Sequence, residues 1–161
     1  MTQQTTKIKL SDIVNKCTSD VYNQPPEDQM DFILQCLEKI KQTIVALRVQ
    51  LEQKMDLYHK KRISDKEMFN CLVLTDYVSQ KSVQFRTQVS ELSFITHLQL
   101  IGKMKKKHDK TNIVEEKVRE LIAVWGTYYG DQMYEYSTLY KKYCSEKVIN
   151  PIFHQIGRAH V

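Results

Sequence analysis

The sequence is poor in the residues that interrupt secondary structure. Only four glycines and three prolines occur in 161 residues, and two of the prolines are adjacent, at Pro25 and Pro26. Few breakers favour long elements, and no strand-like alternation of useful length occurs, so the elements are predicted to be helices. The length suits one domain with enough chain to bury a core.

Several function classes lack their sequence signals. No apolar run reaches the ~18 residues that a bilayer span needs. Residues 1–10 have no apolar signal-peptide segment, which predicts a cytoplasmic protein. Cys17, Cys36, Cys71 and Cys144 form no CxxC pair and are predicted to be free thiols. The formal charge of +5 is mildly basic and typical of a protein that meets acidic surfaces.

Catalytic motifs are also missing. There is no Gly-rich phosphate loop, GxSxG elbow or HExxH pair, and the five histidines show no ligand spacing. His97 is interpreted as a half-exposed polar residue rather than a base. We therefore expect a chain that is not an enzyme, with no catalytic residue, metal or cofactor.

The most informative segment covers residues 113–132. Its apolar residues have helical spacing and include Val114, Val118, Leu121, Ile122 and Trp125. They gather on one face, with Trp125 as the predicted core anchor. Gly130 is predicted to end this helix in the left-handed conformation. The segment predicts one helix of a packed stack, so the surfaces of the chain should matter more than any pocket.

Eight helices are predicted in all. They cover about residues 10–21, 27–40, 44–58, 65–79, 82–89, 91–106, 111–129 and 131–147. The fourth is apolar nearly all round, which is typical of a helix in the middle of a stack. Ser64 and Glu67 match a capping box at its start.

The predicted organisation is a flexible N-terminus over 1–9, a domain over 10–150 and the start of a linker over 151–155. Residues 156–161, IGRAHV, resemble a translated sequencing adapter, so we expect the natural sequence after residue 155 to be missing.

Three segments resemble the VHS domain of endosomal and Golgi sorting adaptors. They are 71–86 (CLVLTDYVSQKSVQFR), 89–94 (VSELSF) and 114–125 (VEEKVRELIAVW). The resemblance covers residues 10–150 and implies an all-α, right-handed superhelix of about eight helices. It also implies the N-terminal part of an adaptor that lies peripherally on endosomal or Golgi membranes and recognises ubiquitin or cargo-tail peptides.

The resemblance implies two protein-binding surfaces. For ubiquitin it points to Gln29, Met30 and Ile33. Gln29 stands where the family has a tryptophan, and Met30 supplies a flexible apolar side chain beside it. For acidic dileucine signals it points to a groove between the sixth and eighth helices, formed by His97, Leu98, Ile101, Lys103, Tyr136, Tyr140 and Lys141.

Two basic clusters are the third candidate surface. One is Lys60, Lys61 and Arg62, and the other is Lys105, Lys106 and Lys107. The first follows the third helix and the second follows the sixth. Because successive helices run in alternating directions, we expect the two clusters to lie at opposite ends of the stack and to form no common patch. The clusters favour one alternative function, a phosphoinositide-binding membrane module of the related ENTH type. A second alternative is a reader of phosphorylated polymerase-tail peptides, which requires a basic groove. No nucleic-acid partner is expected.

Overall fold

The computed structural model describes residues 9–106 and 110–151. Within these residues there are eight α-helices and no strand, so the predicted all-α fold of about eight stacked helices is confirmed. The helices are α1 (Leu10–Cys17), α2 (Glu27–Lys39), α3 (Gln42–His59), α4 (Asp65–Lys81), α5 (Val83–Val89), α6 (Leu92–Gly102), α7 (Ile113–Tyr128) and α8 (Tyr134–Ser145). The predictions for 1–8 and 152–161 lie outside the described residues.

The helices stack in an order that places α3, α4 and α7 at the centre. Helix α4 packs on α2, α3, α5 and α7, while α7 packs on α4, α6 and α8. Helix α3 packs on α6, which closes the middle of the stack. The largest fully buried side chains include Trp125, Tyr136, Phe85 and Phe94. The sequence therefore predicted the central position of α4 and the anchoring role of Trp125 correctly.

Three helices begin with side-chain caps. At α5, Ser82 accepts a hydrogen bond from the backbone N–H of Phe85 at 3.1 Å. Ser64 accepts a hydrogen bond from the backbone N–H of Glu67 at 3.1 Å, as predicted. The Glu67 carboxylate does not complete the box, since it accepts from Lys54 at 2.6 Å. A full capping box lies instead at α7, where Asn112 and Glu115 each accept from the other's backbone N–H.

Three predictions about helix ends are wrong. Helix α1 was predicted to reach about residue 21 but ends at Cys17. Helix α6 ends at Gly102, so Lys105 and Lys106 lie in the loop that follows it. Among the described residues no glycine has a positive φ, and Gly130 does not act as a left-handed cap. The left-handed positions carry lysines instead: Lys61 (φ 62°), Lys103 (φ 46°) and Lys147 (φ 61°). Each follows a helix C-terminus, where the helix dipole favours a positive charge.

All four cysteines are free thiols, as predicted; Cys17 and Cys71 are buried, and Cys36 and Cys144 are half-buried. None of the helices in the described part of the chain combines the length and apolar character of a bilayer span.

Candidate functional site

The structure corrects the predicted ubiquitin surface on α2. Met30 is 6% exposed and Ile33 is 0% exposed, and both belong to the hydrophobic core. Neither can contact a partner in this conformation. The sequence placed an apolar stripe on α2 but assigned its inward-facing members to the surface. Gln29 is half-buried, and its amide nitrogen lies 3.5 Å from the Tyr22 hydroxyl.

The exposed apolar residue of α2 is Phe32, which is 44% exposed. It borders a cavity of about 460 Å³ between α1 and α2, together with Ile13, Gln29 and Asp28. The Oε1 atom of Gln29 is buried and has no hydrogen-bond partner among the described residues. Sequence reasoning missed Phe32. Its position three residues after Gln29 places the two on one helix face and could have identified it.

Three of the seven residues predicted to line a groove between α6 and α8 are buried. Leu98, Ile101 and Tyr136 are at most 3% exposed and lie in the core. The Tyr136 hydroxyl donates to the Val89 carbonyl at 2.6 Å, inside the protein. These three residues were predicted to line a peptide groove, and that prediction is wrong because their side chains hold the helices together.

The remaining groove residues are spread along the two helices. His97 is half-buried, with Nδ1 2.7 Å from the Ser93 carbonyl. Tyr140 is half-buried, and Lys103 and Lys141 are exposed. Between them, Gln99 of α6 donates to the Tyr143 hydroxyl of α8 at 2.6 Å. This hydrogen bond joins α6 to α8 at a position where the predicted groove was expected to be open.

The described residues of the two basic clusters lie at the same end of the stack, contrary to the prediction. One cavity of about 450 Å³ is lined by His59 and Lys61 from the first corner and by Leu100 and Lys103 from the end of α6. The helix count failed because α5 has seven residues. At 1.5 Å per residue it is about 10 Å long, too short to cross the stack. Helices α3 and α6 therefore both end here.

We call this region the basic end: residues 59–62 at the C-terminus of α3, residues 103–106 after α6, and the cavity between them. Tyr58 also lines the cavity, and its hydroxyl donates to Asp65 at 2.8 Å and accepts from Asn112 at 3.4 Å. Burial and the hydrogen bond to Asp65 raise the pKa of Tyr58. Lys107 lies outside the described residues.

A buried arginine fixes the loop after α6. Arg119 of α7 is 3% exposed and donates to the backbone carbonyls of Gly102 at 2.9 Å, Lys103 at 3.2 Å and Lys105 at 3.4 Å. Burial lowers its pKa, and the charges of Glu116 and Glu115 act in the opposite direction. Arg119 lies among the apolar residues of α7, and this position was the one feature of the sequence that could have indicated a buried side chain.

Ion pairs offset part of the positive charge at the basic end. Lys60 pairs with Asp56 at 2.9 Å, and this hydrogen bond lowers the pKa of Asp56. The Lys103 Nζ atom lies 3.8 Å from Glu115 Oε2, which is farther apart than the atoms of the Lys60–Asp56 pair. Lys61 and Lys105 form no ion pair with a described carboxylate. Positive charge therefore remains available on both sides of the cavity.

The described residues contain no cluster of three or more His, Cys, Asp or Glu side chains that could hold a metal ion. Comparison with protein-family models, curated proteins and solved structures finds no match to this chain.

Proposed function

We propose that this chain is a non-catalytic recognition module of a membrane-trafficking adaptor, resembling a VHS domain. It is proposed to act in the cytoplasm, peripherally on endosomal or Golgi membranes, and to bind ubiquitin or cargo-tail peptides. The resemblance supports this proposal, because its three segments form the end of α4, α5, the start of α6 and most of α7 in an all-α stack. Because a fold alone does not determine function, the proposal depends on the residues at the surface.

The observation that carries the proposal is the exposure of Phe32 on α2. An exposed aromatic ring beside a cavity supplies the rigid apolar area that anchors a small protein interface. Phe32 lies one helical turn after Gln29, the position where the resembled family has its tryptophan. Phe32 is thus proposed to take the place of that anchor, and Met30 and Ile33 support it from within the core.

The test is a titration of the isotope-labelled chain with monoubiquitin and, separately, with an acidic dileucine peptide, followed through backbone amide shifts. Saturable shifts on α2 in the presence of ubiquitin are expected. Phe32→Ala should weaken that binding at least about tenfold, as for an interface anchor. The control Val83→Ala removes a 56%-exposed side chain from α5 and should leave the affinity unchanged.

Shifts that follow the dileucine peptide and cluster on His97 and Lys141 would assign cargo-tail recognition instead. An absence of shifts with both ligands at millimolar concentration would contradict the proposal.

A second candidate function is docking to an anionic membrane surface, as in modules of ENTH type. The specific observation in its favour is that Lys61 of the first basic cluster and Lys103, two residues before the second, line one cavity at an end of the stack. A flat anionic surface can meet one end of a stack, whereas a phosphopeptide reader needs a groove along the helices.

The test is sedimentation with phosphatidylserine vesicles. Binding that falls with added salt and is lost when Lys105 and Lys106 are changed to Glu is expected, since each lysine near an anionic leaflet contributes about 1 kcal/mol. Binding that ignores both changes would exclude it.

A further inference from the structure

Ser64 is an exposed serine that closely follows a run of basic residues. Lys60, Lys61 and Arg62 lie four, three and two positions before it. Protein kinases select their substrates partly through the pattern of charges around the phosphorylated residue. Opposite potentials attract across an interface, so positive charges before a serine suit a basophilic kinase, one whose substrate cleft is acidic.

The place of Ser64 in the fold distinguishes it from the other exposed serines. Of the nine serines in the chain, only Ser64, Ser93 and Ser145 are exposed. Ser93 belongs to α6 and Ser145 to α8, whereas Ser64 precedes α4 with an extended backbone, at φ −77° and ψ 163°. The backbone N–H groups of Ile63 and Ser64 donate to no described residue. This segment can therefore enter an extended cleft without the unwinding of a helix.

The charges before Ser64 are less engaged than the charges after it. Lys61 and Arg62 form no ion pair with a described carboxylate. After the serine, Asp65 accepts a hydrogen bond from a tyrosine of α3 at 2.8 Å, and Glu67 accepts one from a lysine of α3 at 2.6 Å. A kinase that reads acidic residues after the serine would have to break both contacts. The structure thus favours a kinase that reads the basic residues before it.

The hydroxyl group of Ser64 joins two corners of the stack. It donates to Asp20 Oδ2 at 3.1 Å and accepts from the backbone N–H of Glu67 at 3.1 Å. Asp20 lies in the corner between α1 and α2, residues 18–26. A phosphate on the Ser64 oxygen removes the donated proton and places a charge of about −2 beside the Asp20 carboxylate. The bond to Asp20 is then lost, whereas the N-terminus of α4 still favours an anion.

We propose that Ser64 is a phosphorylation site for a basophilic protein kinase, and that its phosphate releases the corner between α1 and α2 from the start of α4. The release is local, because Asn70 of α4 still donates to the Ser19 and Tyr22 carbonyls, both at 3.0 Å. Neither ubiquitin binding nor membrane docking is required for this step.

The reaction is a phosphoryl transfer from a nucleoside triphosphate. The Oγ atom of Ser64 forms a bond to the γ-phosphorus, and the bond from that phosphorus to the β,γ-bridging oxygen breaks. The nucleoside diphosphate leaves with the electron pair of the broken bond, and the hydroxyl proton passes to the catalytic base of the kinase.

The first experiment incubates the full, folded chain with ATP, Mg²⁺ and the catalytic subunit of the cyclic-AMP-dependent protein kinase, a basophilic enzyme. Mass spectrometry of the peptides should locate the phosphate on Ser64. Lys61→Gln with Arg62→Gln should slow the initial rate at least about tenfold, since both recognition charges are removed. The matched control is Lys39→Gln with Lys41→Gln, two exposed lysines between α2 and α3, and it should leave the rate unchanged.

Three outcomes would overturn the site. The first is phosphate on Ser93 or Ser145 in place of Ser64, or no incorporation into the folded chain. The second is a rate that the Lys61 and Arg62 changes do not alter. The third is faster incorporation at Ser64 by an acidophilic casein kinase run in parallel, which would assign the site to a kinase that reads the acidic residues instead.

The second experiment follows the amide shifts and hydrogen exchange of the phosphorylated, isotope-labelled chain. Residues 19–22 should shift and exchange faster, and residues 64–67 should shift around the phosphate. Asp20→Ala should reproduce the changes at residues 19–22 without phosphate, and phosphorylation of that variant should add little there. Shifts confined to residues 64–67 in the phosphorylated natural chain would overturn the release of the corner.

Discussion

Trp125 of α7 donates its indole N–H to the carboxylate of Asp76 on α4, with Nε1 3.0 Å from Oδ1. Both residues are buried, and Gln80 donates to the other carboxylate oxygen at 3.1 Å. The indole ring meets the ring of Tyr136 edge-on, with 5.0 Å between centroids, and the Tyr136 hydroxyl bonds to the Val89 carbonyl. This network joins α4, α5, α7 and α8. The single tryptophan therefore links helices through a hydrogen bond as well as through apolar packing.

Trp125→Phe should lower the free energy of unfolding by about 3 kcal/mol, because it leaves a cavity and removes a donor from a buried carboxylate. Urea denaturation followed by circular dichroism measures the loss. The control Tyr134→Phe alters a 68%-exposed side chain and should stay within about 0.5 kcal/mol of the natural protein. A loss below 1 kcal/mol for Trp125→Phe would show that the hydrogen bond to Asp76 and the packing of the indole ring contribute little to stability.

Gly126 lies where the backbone of α7 passes close to that of α8. A Cβ atom there would lie 2.6 Å from the carbonyl oxygen of Tyr136 and 3.0 Å from its carbonyl carbon, both of which are backbone atoms. Gly126→Ala should therefore cost about 2 kcal/mol in the free energy of unfolding, despite the better helix propensity of alanine. The exposed neighbour Thr127, changed to Ala, serves as the control. If Gly126→Ala raises the stability instead, the two helices are not packed this closely.

Arg119→Lys should loosen the loop after α6, because a lysine cannot direct several donors at the carbonyls of Gly102, Lys103 and Lys105. We expect faster hydrogen exchange at residues 103–106 and a loss of about 2 kcal/mol in the free energy of unfolding. Arg86→Lys is a matched control. Arg86 also bonds to a backbone carbonyl, that of Ser79 at 2.7 Å, but it belongs to α5 and contacts α4. Unchanged loop exchange in Arg119→Lys would contradict the role that we assign to the guanidinium group.

The sequence predicted the helices well because apolar spacing and scarce breakers act locally. It predicted the helix ends less well. Gly130 was expected to take a left-handed cap, but its backbone stays at negative φ, and a Cβ there would meet the Gly126 carbonyl at 2.8 Å. Glu67 fits a capping box by spacing, yet Lys54 of another helix takes its carboxylate. Both outcomes depend on neighbours that are distant in sequence.

The candidate sites were harder to predict than the fold. Periodicity shows that Met30 and Ile33 share a face with other apolar residues, but only the packed neighbours show that this face points inward. The basic end was missed because the helix count treated α5 as a full crossing of the stack. Its seven residues make a turn instead, which brings Lys61 and Lys103 to one cavity. Short helices are therefore the weak point of any prediction that counts helices.

The buried thiols predict a loss of stability in alkali. Burial raises the pKa of Cys17 and of Cys71 from the ordinary 9.0 to about 12. Below pH 9 both thiols keep their protons in the folded and the unfolded chain. As the pH rises from 9 towards 12, the unfolded chain releases protons that the folded chain retains, so the free energy of unfolding falls. Urea denaturation at pH 8, 9 and 10 should show this fall, and at pH 10 the tyrosines whose pKa burial raises, Tyr58, Tyr77 and Tyr136, add to it.

Replacing both Cys17 and Cys71 with alanine should make that fall in stability less steep, although the cavities lower the stability at every pH. Val78→Ala is the control, since it also removes volume from a fully buried site but contains no titratable group. Its stability should be lower at all three pH values, and its slope should match that of the natural protein. A double alanine variant with the natural slope would show that other groups cause the alkaline loss. A natural protein that is equally stable at pH 8 and pH 10 would contradict the retention of these thiol protons in the folded state.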